Sequence, residues 1–305
     1  MISKARLLGI INTAAFLLNA LETFGYGPFS SHFSADQNNA TISNKYQTII
    51  TPFGFAFSIW GVIFLMQAVF CYVCMLWGEE YSGHPLVVDG VSYYYLLACL
   101  AQTAWSPAFT YEKMPLSAVF MGCILIPLII IAVKQNDSQT KAMEKNPRLG
   151  LFFRGKFYWL LQFPFELHLG WIMAAFALNI NVVLVADKAS STVQVVAAAL
   201  SLGALGGTAI LCLFKDRTDP LYCIPSVVSW ASFFMYVELH NPKEMIVDTF
   251  STSEISAFRV TAIILCFVLI GLIAVVRWNQ KRGIGDAGNH SVREDTPLHD
   301  SLQIS

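Results

Sequence analysis

The residues best suited to chemistry lie within one long apolar segment, residues 163–186. This segment, FPFELHLGWIMAAFALNINVVLVA, carries Glu166, His168 and Trp171 in its first half and two asparagines in its second. A carboxyl and an imidazole can exchange protons or bind ions, whereas an indole and amides can hold a flat apolar ligand. Polar groups in an apolar helix are costly, so they usually face a protein interior or a cavity.

Helical periodicity divides these side chains between two faces, because residues three, four and seven apart share a side. One face carries the residues that can line a pocket: His168, Trp171, Ala175, Leu178 and Asn179. The opposite face carries mainly small residues and one carboxyl: Glu166, Gly170, Met173 and Ala177. The small residues predict a close approach by another helix.

Glu166 and His168 are candidates for a proton-linked or ion-linked step. They lie two residues apart, however, which is the wrong spacing for two ligands on one helical face. We therefore predict no metal site here.

The composition identifies the surrounding protein as an integral membrane protein. Hydrophobic residues make up 55% of the chain and charged residues only 13%, and the mean hydropathy is +0.56. Soluble domains carry roughly 25% charged residues. The net charge of −1 gives no argument for a nucleic-acid partner. All seven cysteines fall in apolar segments, so we predict no disulfide framework.

We predict an all-α, polytopic membrane bundle of about eight transmembrane helices, each long enough for a hydrocarbon core about 30 Å thick. The predicted spans are residues 6–25, 52–77, 92–111, 115–133, 160–186, 193–214, 219–239 and 259–277. Most of the 19 lysine and arginine residues fall in the segments that would be cytoplasmic if both termini were inside. We therefore expect cytoplasmic N- and C-termini.

Two polar segments flank or interrupt the spans. The polar segment 26–50 would lie outside and contains the sequon Asn39-Ala40-Thr41, a candidate glycosylation site. The tail, residues 279–305, is polar and lacks apolar periodicity, which predicts a disordered cytoplasmic segment.

Three sequence blocks carry most of the candidate pocket residues. The second span begins with TPFGFAFSIW at residues 51–60, the third contains QTAWSPAF at residues 102–109, and the fifth contains WIMAAFALN at residues 171–179. In this order the blocks resemble those of the TspO/peripheral benzodiazepine receptor family, also called tryptophan-rich sensory or translocator proteins. The resemblance covers roughly residues 5–186 and implies a five-helix core, residues 1–186, with a pocket near the start of the second helix.

The resemblance also implies a ligand and a site. Family members bind tetrapyrroles such as protoporphyrin, and some bind sterols. Carried over by position, the ligand-binding candidates are Phe55, Trp60, Gln102, Trp105, Phe109, Trp171, Ala175 and Asn179. Aromatic walls with few convergent polar groups suit such flat apolar ligands.

The chain departs from the family pattern at several points. Phe55 stands where the family usually has Trp, and Gln102 replaces the usual Asn. Three additional spans, within residues 187–278, follow the core. The chain therefore resembles a long, divergent branch of the family, whose ligand need not be that of the short members.

Three functions are compatible with these features. The leading hypothesis is a membrane sensor, receptor or translocator that binds a tetrapyrrole or sterol-like molecule, requires no cofactor, and has membrane lipids and a second copy of itself as partners. Intramembrane Glu166 and His168 keep open a secondary transporter of a small solute. An enzyme acting on porphyrin is the third hypothesis, but the common hydrolase, zinc-peptidase and P-loop motifs are missing from the sequence. We therefore expect a non-enzymatic role.

Overall fold

The computed structural model describes residues 2–26, 39–77, 79–145, 155–214 and 220–294. Within these ranges the chain is helical and contains no β-strand, which confirms the all-α prediction. The long helices are α1 (Lys4–Ala20), α2 (Ile59–Leu76), α3 (Tyr94–Thr110), α4 (Met114–Lys145), α5 (Phe163–Ala186), α6 (Ser191–Phe214), α7 (Cys223–His240) and α8 (Thr252–Glu294).

Six helical segments in the described part of the chain are long and apolar enough to cross a membrane. They are Lys4–Phe24, Gly54–Leu76, Met114–Lys141, Tyr158–Ala186, Ser191–Phe214 and Thr252–Gln280. The protein is thus a polytopic helical membrane protein. The predicted third and seventh spans are the helices α3 and α7, which are only 17 and 18 residues long. That these two helices also cross the membrane stays a prediction, as do the cytoplasmic termini.

The last helix continues further than the sequence indicated. Helix α8 ends at Glu294, within the segment for which disorder was predicted from residue 279. Gln280, Lys281 and Arg282 are good helix formers, and adding residues to an existing helix is easier than starting one. Residues 295–305 lie outside the described ranges.

The first five helices pack as a closed ring in the order α1, α2, α5, α4, α3. A turn of three residues, 111–113, joins α3 to α4 as antiparallel neighbours. Polar contacts also join the ring: Ser117 Oγ donates a hydrogen bond to Asn179 Oδ1 at 3.0 Å, linking α4 to α5. Asn12 Nδ2 donates to the carbonyl of Ser92 at 3.1 Å, just before α3.

The three later helices pack against one side of this ring. Helix α7 contacts α5, while α6 and α8 contact α7 and each other. Helices α5 and α7 approach closely at Gly170, where an added Cβ would lie 3.0 Å from Val227 Cβ and 3.4 Å from Ile224 Cα of α7. The small-residue face predicted for residues 163–186 is therefore the face that receives another helix.

Helix α7 also contacts the start of the second span, a 3₁₀ turn at Gly54–Ser58. The Phe53 N–H donates to the Phe234 carbonyl at 2.9 Å, and Trp230 Nε1 donates to the Ala56 carbonyl at 3.1 Å. The later helices thus hold in place the segment that begins α2.

Candidate functional site

A cavity of about 420 Å³ lies at the end of the ring where α2 and α4 begin and where α3 and α5 end. Its volume falls in the range of small-molecule sites, roughly 300–1,000 Å³. Five aromatic side chains line it: Phe57, Trp60, Trp105, Phe109 and Trp171. The cavity is therefore a pocket with a mainly apolar, aromatic wall.

The aromatic side chains form two groups. Trp171, which is almost fully buried, makes edge-to-face contacts with Phe57 and Trp60, with ring centroids 5.6 and 6.3 Å apart. Trp105 and Phe109 of α3 are stacked at 5.4 Å with an interplanar angle of 22°. These contacts fix the ring orientations and present flat apolar surfaces to the cavity.

The cavity brings together six of the eight predicted ligand-binding residues: Trp60, Trp105, Phe109, Trp171, Ala175 and Asn179. They come from α2, α3 and α5, far apart in the sequence. Their convergence is what the three sequence blocks implied. Ligand binding by these residues stays a prediction.

The other two predicted residues do not line the cavity. Phe55 is 59% exposed and packs beside Trp230 and Phe234 of α7, with ring centroids 6.1 and 5.6 Å apart. The 3₁₀ turn directs Phe55 towards α7 and Phe57 towards the cavity. Gln102 is buried one turn before Trp105, and its Oε1 meets no donor among the described residues.

A model of the family described as "TSPO-like protein" matches residues 9–276. The chain belongs to the TSPO-like family. The match continues through α6 and α7 and most of α8, so the family pattern includes the helices that follow the five-helix core. No curated protein and no solved structure shows a significant match.

In this TSPO-like protein, His168 lies one turn from Trp171 and supports the cavity wall. Its Nδ1 is 2.8 Å from Gln67 Nε2 of α2, and its ring contacts Trp60 edge-on at 5.8 Å. With the Gln67 amide as donor, the imidazole proton sits on Nε2, which meets no acceptor in the described part of the chain. His168 and Gln67 thus fix how α2 and α5 meet behind Trp60.

Glu166 belongs to a different polar cluster of the TSPO-like fold. Its carboxylate accepts hydrogen bonds from Gln162 Nε2 at 2.8 Å and from Tyr158 Oη at 3.1 Å. It does not line the cavity. The two candidate proton-linked residues, Glu166 and His168, therefore lie in separate hydrogen-bonded clusters. Among the described residues, no three His, Cys, Asp or Glu side chains group as metal ligands.

Two indole N–H groups of the cavity wall lack acceptors. Nε1 of Trp105 and Nε1 of Trp171 are both buried, and neither has a hydrogen-bond partner among the described residues. A buried donor without an acceptor costs about 1–3 kcal/mol. Both nitrogens are closed off from the cavity, so the two indoles present their ring carbons rather than their N–H groups to it.

The cavity mouth is polar, and the sequence did not identify its residues as functional. Ser43, Asn44 and Gln47 line it from the helix Asn39–Lys45 and the residues that follow, and Lys243 lines it from the segment after α7. Lys243 and Asn44 are 199 residues apart in the chain, and no motif connects them. Asn39 begins the short helix, but its side chain lies outside the described part of the structure.

Proposed function

We propose that this TSPO-like protein binds a flat hydrophobic molecule, of the tetrapyrrole or sterol class, and acts as a membrane sensor, receptor or translocator. The observation that carries the proposal is the cavity of about 420 Å³ with five aromatic side chains in its wall. Aromatic faces provide large apolar contact areas with defined geometry.

The test is a fluorescence-quenching titration of the purified protein in detergent with protoporphyrin. Trp171→Phe and Trp105→Phe keep an aromatic ring but remove the indole N–H. Because the smaller ring loses apolar contact with the ligand that contributes about 1 kcal/mol, each substitution should raise the Kd roughly fivefold. Trp159→Phe is the matched control, since Trp159 is 56% exposed and does not line the cavity.

Saturable binding that weakens in the Trp105 and Trp171 variants but not in the Trp159 variant would support the cavity as the site. Quenching that never saturates, or that weakens equally in all three variants, would refute it. Competition by cholesterol against bound protoporphyrin then distinguishes the classes, because a sterol that shares the site must displace the porphyrin.

A further inference from the structure

We propose that Lys243 determines ligand specificity by binding a carboxylate of the ligand at the mouth of the cavity. The inference rests on the proposed function and narrows it to anionic amphipathic molecules. Lys243 is the one charged residue among the described residues that line the cavity. It lies in the segment between α7 and the short helix Glu244–Thr249, outside the five-helix core.

Contacts on two sides hold the ammonium group at the mouth. Lys243 Nζ donates to Asn44 Oδ1 at 2.9 Å, which connects the segment after α7 to the short helix before α2. Glu238 Oε1 is 3.6 Å from Nζ, too long for a hydrogen bond. An ammonium group has three donors, and these contacts occupy one. The side chain is 43% exposed, so the remaining donors are accessible to a ligand oxygen.

Glu238 sets the condition under which Lys243 binds an anion. Its carboxylate is buried, with a side chain only 3% exposed, and it partly neutralises the ammonium group. It interacts with Lys243 by charge at a distance, whereas a ligand carboxylate would make a direct hydrogen bond. A ligand carboxylate that reaches Nζ would therefore add a charge-assisted hydrogen bond that Glu238 does not make.

The rest of the lining favours the same class of ligand. No aspartate or glutamate lines the cavity, so an anionic ligand meets no repelling side chain among the described lining residues. A ligand with a ring system would pack against Trp171 at the aromatic end of the cavity. An acidic group on the same ligand would contact Lys243 at the mouth. A tetrapyrrole with carboxylate side chains has this form, whereas a sterol with one neutral hydroxyl does not.

The experiment compares protoporphyrin with its dimethyl ester, which keeps the ring but removes both negative charges. The full-length protein should bind the free acid about tenfold more tightly than the ester, since hydrogen bonds to charged groups are the stronger ones. Lys243→Met should abolish this preference, so that its Kd values for the acid and the ester become equal. Lys243→Arg should retain the preference, which shows that the position tolerates substitution.

Lys113→Met is the matched control, because Lys113 is an exposed lysine in the turn between α3 and α4, at the same end of the bundle. It should keep the full preference for the acid. Equal binding of acid and ester by the unsubstituted protein, or an unchanged preference in Lys243→Met, would overturn the inference while the proposed function stands. Failure of both probes to bind would instead refute the proposed function, and the inference with it.

Discussion

Adding one methyl group at Gly170 should separate α5 from α7. The new Cβ of Gly170→Ala would lie 3.0 Å from Val227 Cβ, 3.2 Å from Val227 Cγ2 and 3.4 Å from Ile224 Cα. Carbon atoms in favourable contact are about 3.5–4.0 Å apart. Two of these three contacts are with a β-branched side chain whose rotamers are restricted. The tightest contact is with Val227 Cβ, which is bonded directly to the backbone and does not move with the rotamer, so α7 must shift by a few tenths of an ångström.

The expected loss follows from two opposing effects. Overpacking a well-filled interior typically costs about 1–3 kcal/mol, whereas replacing glycine with alanine inside a helix gains about 0.5–1 kcal/mol. Gly170→Ala should therefore destabilise the protein by a net amount of about 1 kcal/mol, with an upper limit of about 2.5 kcal/mol. Gly207→Ala should show only the gain in stability from replacing glycine with alanine inside a helix, because nothing lies within 4 Å of a Cβ built at Gly207.

The assay is apparent thermal unfolding in detergent, with Gly170→Ala and Gly207→Ala measured beside the unsubstituted protein. The first should melt at a lower temperature and the second at the same or a higher temperature. Because α7 also contacts the start of α2 through Trp230 and Ala56, Gly170→Ala should weaken ligand binding as well. Equal stability of the two alanine variants would refute the close packing of α5 on α7.

Two further predictions concern polar contacts away from the cavity. Gln67→Leu leaves His168 Nδ1 buried without its partner and should lower the stability of the folded protein by about 1–3 kcal/mol. Adding His168→Leu to Gln67→Leu should restore part of that loss. A further, additive loss in the double variant would contradict this reasoning. Hydrogen bonds from Lys45 and Tyr46 hold the pKa of Glu112 below its ordinary value. The ionised Glu112 carboxylate therefore stabilises the folded protein fully at neutral pH, and this stabilisation is lost as the pH falls through the lowered pKa. Melting curves between pH 7 and pH 3 should show a smaller acid-induced loss for Glu112→Gln than for the unsubstituted protein, and parallel pH profiles would refute the role of this cluster.

The sequence alone determined the elements and the orientation of the central helix. Apolar length located the eight long helices, because a segment that must satisfy its backbone inside lipid has helix as its main choice. Periodicity placed Trp171, Ala175 and Asn179 on one face of α5 and Gly170 on the other. The structure directs the first face to the cavity and the second to α7. These properties are local, so spacing along one helix is sufficient to predict them.

The tertiary structure decided which of two neighbouring aromatic residues lines the cavity. The 51–60 block offers Phe55 and Phe57 as near equivalents, and only the 3₁₀ turn and the contact with α7 direct Phe57 inwards. Likewise, Gln102 lies on the same side of α3 as Trp105, yet it is buried below the cavity and does not line it.

Which residues meet at the cavity mouth depended most strongly on the tertiary fold. Lys243 reaches Asn44 across 199 residues of sequence because α7 packs on α5 and directs the following segment over the ring. No periodicity or motif encodes a contact of this kind, since it depends on the packing of two helices rather than on spacing within one. The sequence therefore predicted four of the five aromatic residues of the wall, whereas only the packing of the later helices placed a charge at its entrance.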